Sequence, residues 1–257
     1  MNGNEIRVEN LTMAYGDFVL QRDLSFTVNK GDVFAIMGSS GCGKSTLMKM
    51  LIGLKPPAAG RILYGSVDFW ALDEDERAGV VREFGILYQT GALWSSMTLL
   101  DNVALPLREY TRLPQDEIAE MSALKLAMVG LKGFEAYYPA QISGGMRKRA
   151  ALARAMALDP RILFLDEPSA GLDPVSARHL DDLILSLRDS LAVTVVVVTH
   201  ELASIFAIAN NSIFLDAVSK TLLAQGDPRR LVHQPEDPRV LAFLTRGESQ
   251  GKGASHE

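Results

Sequence analysis

The residues with the clearest chemical potential are Gly38 to Thr46, GSSGCGKST, which follow the apolar run Val33 to Met37, VFAIM. A glycine, four residues, then Gly43, Lys44 and Ser45 is the pattern of a phosphate-binding loop. The flanks supply the strand before it and the helix after it that the pattern requires. Gly38, Gly41 and Gly43 let backbone N–H groups along Ser39, Ser40, Cys42 and Thr46 converge on phosphate oxygens without a Cβ in the way, and the helix opening at Lys44 adds its N-terminal dipole. Lys44 then reaches the β- and γ-phosphates while the Ser45 hydroxyl ligates Mg²⁺. The expected ligand is a nucleoside triphosphate with its magnesium ion.

Three further groups stand at the ends of apolar runs. Ile162 to Leu165 is followed by Asp166 and Glu167, Val193 to Val198 by Thr199 and His200, and Phe84 to Tyr88 by Gln89. In an open parallel sheet, ligands bind beyond the carboxyl ends of the strands, so these groups and the phosphate loop are expected at one site. A carboxylate at the end of a buried strand needs compensation, which Mg²⁺ supplies at Asp166. Glu167 is placed to polarise a water for in-line attack on the γ-phosphate, and His200 to hydrogen-bond that phosphate or the water. Tyr15, in AYGDF upstream of the loop, is either ordinary packing or an aromatic face for an adenine ring.

The elements that must position these groups follow from pattern. Ile6, Val8 and Leu11 with charged residues between them predict a half-exposed strand, and Leu24 to Val28 a second, forming an antiparallel β-layer before the loop. Lys44 to Leu54 carries Leu47, Met50, Leu51 and Leu54 at helical spacing and stops at Lys55-Pro56-Pro57. Arg61 to Tyr64 and Val67 to Trp70 read as a hairpin about Gly65-Ser66. From Thr90 to Leu158 the chain turns helical, with helices over Leu99 to Arg108, Pro114 to Val129 and Gly145 to Leu158. The continuous apolar runs at 162–165 and 193–198, separated by a helix from Pro174 to Leu191, predict strands buried on both faces of a parallel sheet. Ile213 to Leu215 and Thr221 to Ala224 close with a hairpin, and short helices follow over Pro228 to Val232 and Asp237 to Arg246. The fold class is α/β, without internal repeats.

Composition bounds the function. The chain has 257 residues with 47% hydrophobic content, enough for a sizeable core. Its net charge is −5 and its basic residues are scattered, so nucleic acid is not an expected partner. No apolar run approaches the ~20 residues that span a bilayer, and MNGNEIRVEN lacks a charged-then-apolar signal region. Cys42, the single cysteine, cannot form an internal disulfide, which fits a reducing cytoplasm. Within the loop it is either a tolerated small side chain or a redox handle.

Ile142 to Met146, ISGGM, opens a helix some twenty residues before Asp166 and resembles the signature motif of ATP-binding cassette (ABC) ATPases, most often LSGGQ. In that resemblance Tyr15 matches the adenine-stacking aromatic, Gln89 the glutamine loop that senses the γ-phosphate and Mg²⁺, ILFLDEP the Asp-Glu strand, SAGLDP with Asp173 the loop beyond it, and His200 the switch histidine. The match runs from about Ile6 to Gln225. It implies a phosphate-loop NTPase core with an antiparallel β-subdomain and a helical insertion. It also implies that two copies pair head to tail, ATP lying between the loop of one and Ser143, Gly144 and Gly145 of the other.

Met146 departs from the usual glutamine. With YQTGALWSSMTLLDNVALPLRE and DEPSAGLDPVSA, it resembles the ATPases of Mla/Mce-type lipid transporters. This resemblance implies ATP hydrolysis that drives a permease dimer in the inner membrane, with an MCE-domain protein and a small STAS-domain protein as further partners, and a location on the cytoplasmic face of that membrane. Cassettes of DNA repair carry coiled-coil insertions and translation-associated ones carry two cassettes. Neither feature occurs here. A binding module without turnover is disfavoured by the presence of both Glu167 and His200. Arg147, Lys148 and Arg149 read as a solvated helix face that also suits the anionic nucleotide interface. Leu93, Trp94 and Met97 are either anchors for a partner or the plug of the insertion's own core. The expected domains are an ATPase domain over 1–226 with a helical subdomain over about 90–158, a C-terminal helical extension over 227–246 and a disordered tail over 247–257. The extension docks either on its own cassette or across a dimer.

Overall fold

The computed structural model describes residues 4–234 and 237–245. Along the chain these form β1 (Asn4–Tyr15), β2 (Phe18–Asn29), β3 (Val33–Gly38), α1 (Lys44–Leu51), β4 (Ala59–Tyr64), β5 (Val67–Asp68), α2 (Glu74–Val81), β6 (Phe84–Leu87), α3 (Leu99–Tyr110), α4 (Gln115–Met128), α5 (Gly144–Ala155), β7 (Ile162–Asp166), α6 (Pro174–Leu191), β8 (Thr194–Val198), α7 (Leu202–Ile208), β9 (Asn211–Asp216), β10 (Thr221–Gln225), α8 (Pro228–His233) and α9 (Pro238–Leu244). Two compact units result, one from residues up to Leu72 and from Val198 onward, the other from Asp73–Val197.

In the first unit β1 pairs antiparallel with β2 and β4, and β5 closes the sheet in the order β2-β1-β4-β5. Ile6, Val8, Leu11 and Met13 are buried, an alternation that skips one residue. The skip is a register shift between Val8 and Leu11, where Asn10 turns into the left-handed region at φ 49°. β3, buried at every position, runs parallel to β9, and β10 returns antiparallel beside β9. Its chain end delivers the phosphate loop to α1.

In the second unit β6 and β7 are parallel neighbours and β8 lies next, in the order β8-β7-β6. Phe84 and Phe164 meet edge to face across the first pair, with ring centres 5.2 Å apart. Helices α3, α4 and α5 pack on one another as the expected helical insertion. α6 spans its predicted residues, started by Asp173, whose carboxylate accepts from Val175 and Ser176 N–H, and by Pro174 at its first position. Among the described residues no helix is long and apolar enough to cross a membrane.

The structure corrects several boundaries. α1 stops at Leu51, because Gly53 at φ 83° turns the chain and Leu54 and Lys55 N–H return to the Lys49 carbonyl; Leu54 is 61% exposed. The second hairpin strand keeps two residues, since Phe69–Ala71 curls into a 3-10 turn that buries Phe69 between Tyr64 and Trp70. Tyr88 falls outside β6. α5 begins one residue before the expected start and ends at Ala155, with Met156 as its cap. α2 and α7 are absent from the pattern reading. α2 buries no side chain, so it has no apolar period, and its signal is the capping box of Asp73 and Glu76. α7 has only seven residues.

The C-terminal extension docks on its own unit. Val240 and Leu244 of α9 are buried, Phe243 meets Phe214 of β9 edge to face with ring centres 5.1 Å apart, and Arg239 donates to the Asp216 carboxylate at 2.7 Å. Its expected end at Arg246, and the tail expected to be disordered, lie outside the described residues.

Candidate functional site

In the first unit, the loop between β3 and α1 is shaped by its glycines. Gly38 has φ 144°, and a Cβ there would come within 2.3 Å of the Leu215 carbonyl oxygen; Gly43, at φ 106°, holds a backbone conformation that residues with a Cβ rarely adopt. Gly43 caps α1 with no side-chain hydrogen bond, and the first turn holds no acidic residue. The helix start is therefore suited to an anion. Ser39, Ser40, Gly41 and Ser45 are exposed. Lys44 folds back over the loop, its Nζ donating to the carbonyls of Gly38 at 2.8 Å and Ser39 at 3.0 Å. Cys42 is buried, and burial pushes its thiol up despite the nearby Lys44, so it behaves as a small core residue.

Gln21, which pattern reading missed, holds this loop from below. Fully buried, it donates through Nε2 to the carbonyls of Cys42 and Asp216, both at 2.8 Å. The alternation of Leu24, Phe26 and Val28 puts it on the opposite face, and a register shift before Leu24, with Asp23 at φ 54°, turns it inward. Tyr15 is half exposed; its hydroxyl lies 3.3 Å from the Thr46 hydroxyl, and the Lys55 ammonium sits 4.1 Å from its ring centre. His200 is exposed after β8, with Nε2 4.0 Å from the Glu201 carboxylate.

The second unit brings together Gln89, Glu167 and the signature helix. Gln89 is exposed beyond β6, and Asp166 ends β7. Glu167 takes the left-handed conformation at φ 47°, and its carbonyl accepts from Ala170 N–H at 3.2 Å. Ser143 caps α5 by accepting from Met146 N–H at 3.2 Å, placing Gly144 and Gly145 at the first two positions of the helix. A Cβ on Gly145 would stand 3.4 Å from Ser176, so the signature lies close to the start of α6. Asp173 is held below the usual carboxylate range, first by the Ser176 hydroxyl and then by backbone N–H groups. Here it acts as a helix cap.

One expectation fails in this unit. Lys148 is buried rather than solvated, and its ammonium donates to the carbonyls of both Gln89 and Glu167. Burial pushes it below the usual lysine range, and the Asp166 and Glu167 carboxylates oppose that shift. Arg147 remains exposed, while Arg149 donates to the Val129 carbonyl. The segment after Gln89 is fastened by Arg154, which donates to the Gly91 and Ala92 carbonyls, and by the buried Asn102, which bonds the backbone of Trp94, Met97 and Thr98. Trp94 is left 57% exposed, and Leu93 and Met97 are half-buried.

As to a metal, no group of three or more His, Cys, Asp and Glu side chains gathers among the described residues. The Ser45 hydroxyl, exposed at the start of α1, is an oxygen donor of the kind Mg²⁺ favours. The uncapped helix start, the positive-φ glycines and Lys44 fit a triphosphate.

Comparison with known proteins gives a consistent answer. Residues 21–170 match the family model described as ABC transporter. The chain is 42% identical over 251 residues to the intermembrane phospholipid transport system ATP-binding protein MlaF of Haemophilus influenzae, covering 98% of this chain and 94% of that one. It is 38% identical over 255 residues to the probable ribonucleotide transport ATP-binding protein mkl of Mycobacterium tuberculosis, covering 99% of this chain and 70% of that one. Among solved structures, the dimeric ATP-binding cassette MJ0796 bound to ADP and Pi superposes with a TM-score of 0.78 at 29% identity, over 86% of this chain and 98% of that one. Likewise cbiO1 of Clostridium perfringens, part of an ABC transporter complex, gives a TM-score of 0.83 at 26% identity over 96% of this chain and 99% of that one.

Proposed function

Because this chain belongs to the ABC transporter family, as one of its ATPases, we propose that it powers phospholipid transport across the cell envelope through a separate membrane permease. The observation that carries the substrate is the near-full-length similarity to the phospholipid-system ATPase, together with the methionine that replaces glutamine in ISGGM. Two copies pair head to tail, each phosphate loop facing the partner's Ser143, Gly144 and Gly145. The pair sits on the cytoplasmic face of the inner membrane against a permease dimer, with MCE-domain and STAS-domain proteins as further partners.

The roles follow from chemistry. Tyr15 stacks on the adenine ring, and the loop from Gly38 to Thr46 binds the phosphates through backbone N–H groups. Lys44 leaves its resting carbonyls for the β- and γ-phosphates. Ser45, Asp166 and Gln89 would hold Mg²⁺, which would supply positive charge against the charge that develops on the phosphate oxygens. Glu167 takes a proton from the attacking water, His200 hydrogen-bonds the γ-phosphate, and Asp173 orders the loop that meets the partner cassette. Leu93, Trp94 and Met97 receive a cytoplasmic helix of the permease, so that movement at Gln89 reaches the membrane.

Purification from native membranes, followed by mass spectrometry of proteins and lipids, tests this reading. A permease, an MCE-domain protein and bound phospholipid are expected. Ribonucleotides as the bound solute would instead favour the transport class named for the mycobacterial relative, and a complex with neither would overturn the substrate.

A further inference from the structure

We infer that Lys148 is a positioning residue that ties the Gln89 and Glu167 peptides together, so that the Glu167 carboxylate is aimed only when the Gln89 segment is in place. The inference rests on the roles just proposed for Gln89 and Glu167. Its ground is one buried ammonium donating to two backbone carbonyls 59 and 19 residues away in sequence, that of Glu167 at 3.1 Å. Glu167 is not glycine yet holds φ 47°, a conformation that persists only where the surroundings over-determine it. The bonds from Lys148 and from Ala170 N–H to the Glu167 carbonyl supply that constraint. An ammonium satisfies two carbonyls that converge from different directions because its three donors rotate freely.

The location adds a consequence. Lys148 stands on α5, whose N-terminus carries Ser143, Gly144 and Gly145. In a head-to-tail dimer, one end of this helix would touch the nucleotide of the facing site, while its next turn holds the Gln89 and Glu167 peptides of its own chain. The same helix can therefore report the state of one site to the other.

The test uses the full chain in its assembled complex, with steady-state hydrolysis, binding of a fluorescent ADP analogue and thermal melting. Lys148→Met keeps the length and removes the donors; it should lower kcat by about tenfold to a hundredfold, the usual effect of a small misplacement of a reacting group, with the analogue's Kd changed by less than about twofold. Lys148→Arg, which restores donors, should recover most of the rate. The Lys148→Met, Glu167→Gln double variant should be no slower than Glu167→Gln alone, because both changes act through one carboxylate. Wild-type kcat in Lys148→Met beside an inactive Glu167→Gln overturns the link alone, as does a double variant that loses the product of the two factors. Loss of analogue binding in Lys148→Met that Lys148→Arg fails to recover shows a purely structural role and also overturns it. Wild-type turnover in Glu167→Gln overturns the base assignment and the link with it.

Discussion

The roles proposed for Glu167 and Lys44 separate two kinds of contribution to hydrolysis. A left-handed backbone at a non-glycine residue costs about 1–2 kcal/mol, and Glu167 carries that cost immediately after the carboxylate that ends β7. Replacing it by glutamine keeps shape and removes the base, so turnover should fall by roughly 10² to 10⁴ while ATP still binds. Measured hydrolysis at the wild-type rate in the assembled complex would refute the role. Lys44→Ala differs, because its contact with phosphate is made in the ground state too, and nucleotide affinity itself should drop in a titration with labelled ATP. These positions were legible in the sequence because their chemistry is fixed by residue type at short spacing. Lys148 and Gln21 were not. Within Arg147, Lys148 and Arg149 nothing local distinguishes the buried cation from its exposed or half-exposed neighbours, and Gln21 gains its meaning from carbonyls 21 and 195 residues away.

At the scale of elements, strong periods such as those of β3 and α6 announced themselves, whereas α2 has no buried face and α1 lost its last turn to a glycine. Helix α9 is the instructive case. Its apolar residues require a partner surface, which sequence leaves open between the parent cassette and a second chain; in the structure Phe243 meets Phe214, Arg239 meets Asp216, and Val240 and Leu244 are buried on the parent unit. Burying two such side chains contributes about 1.5–3 kcal/mol each before ordering costs, so truncation after Gln234, which removes α9 and keeps α8, should lose on the order of 2 kcal/mol net. The melting temperature should then fall by roughly 4–8 °C, and an unchanged melt would show that α9 adds nothing to its own unit. The segment after Gln89 makes the opposite prediction. Its backbone is tied down by Asn102 and Arg154 while Trp94 projects outward, so Trp94→Ala should leave the melt nearly unchanged yet weaken co-purification with the permease, at about 2 kcal/mol or more. A destabilised chain with intact assembly would assign Trp94 to the insertion's own core.

For the whole molecule, the sharpest question is whether each ATP is shared between two chains. Ser143 starts α5 in one unit and Lys44 starts α1 in the other, and neither helix start is blocked by an acidic side chain. Two separate anion-binding helix ends in one chain are what a head-to-tail pair requires, since each site then takes one end from each protomer. Lys44→Ala disables every loop and Ser143→Arg disables every signature, so either variant alone should neither hydrolyse ATP nor dimerise with it. Ser143→Arg also removes a helix cap at a cost of about 1 kcal/mol, which a domain of this size tolerates. Mixing the two variants gives a different result. In each mixed dimer one site carries both defects, while the other joins an intact loop to an intact signature. Because neither variant pairs with itself, every ATP-dependent dimer is mixed and about half of its sites are whole. An ATP-dependent dimer should therefore appear in sedimentation only in the mixture, with hydrolysis rising toward that fraction if one intact site turns over by itself. If the mixture neither dimerises nor hydrolyses beyond its two components, the nucleotide is held by one chain and the head-to-tail arrangement is wrong.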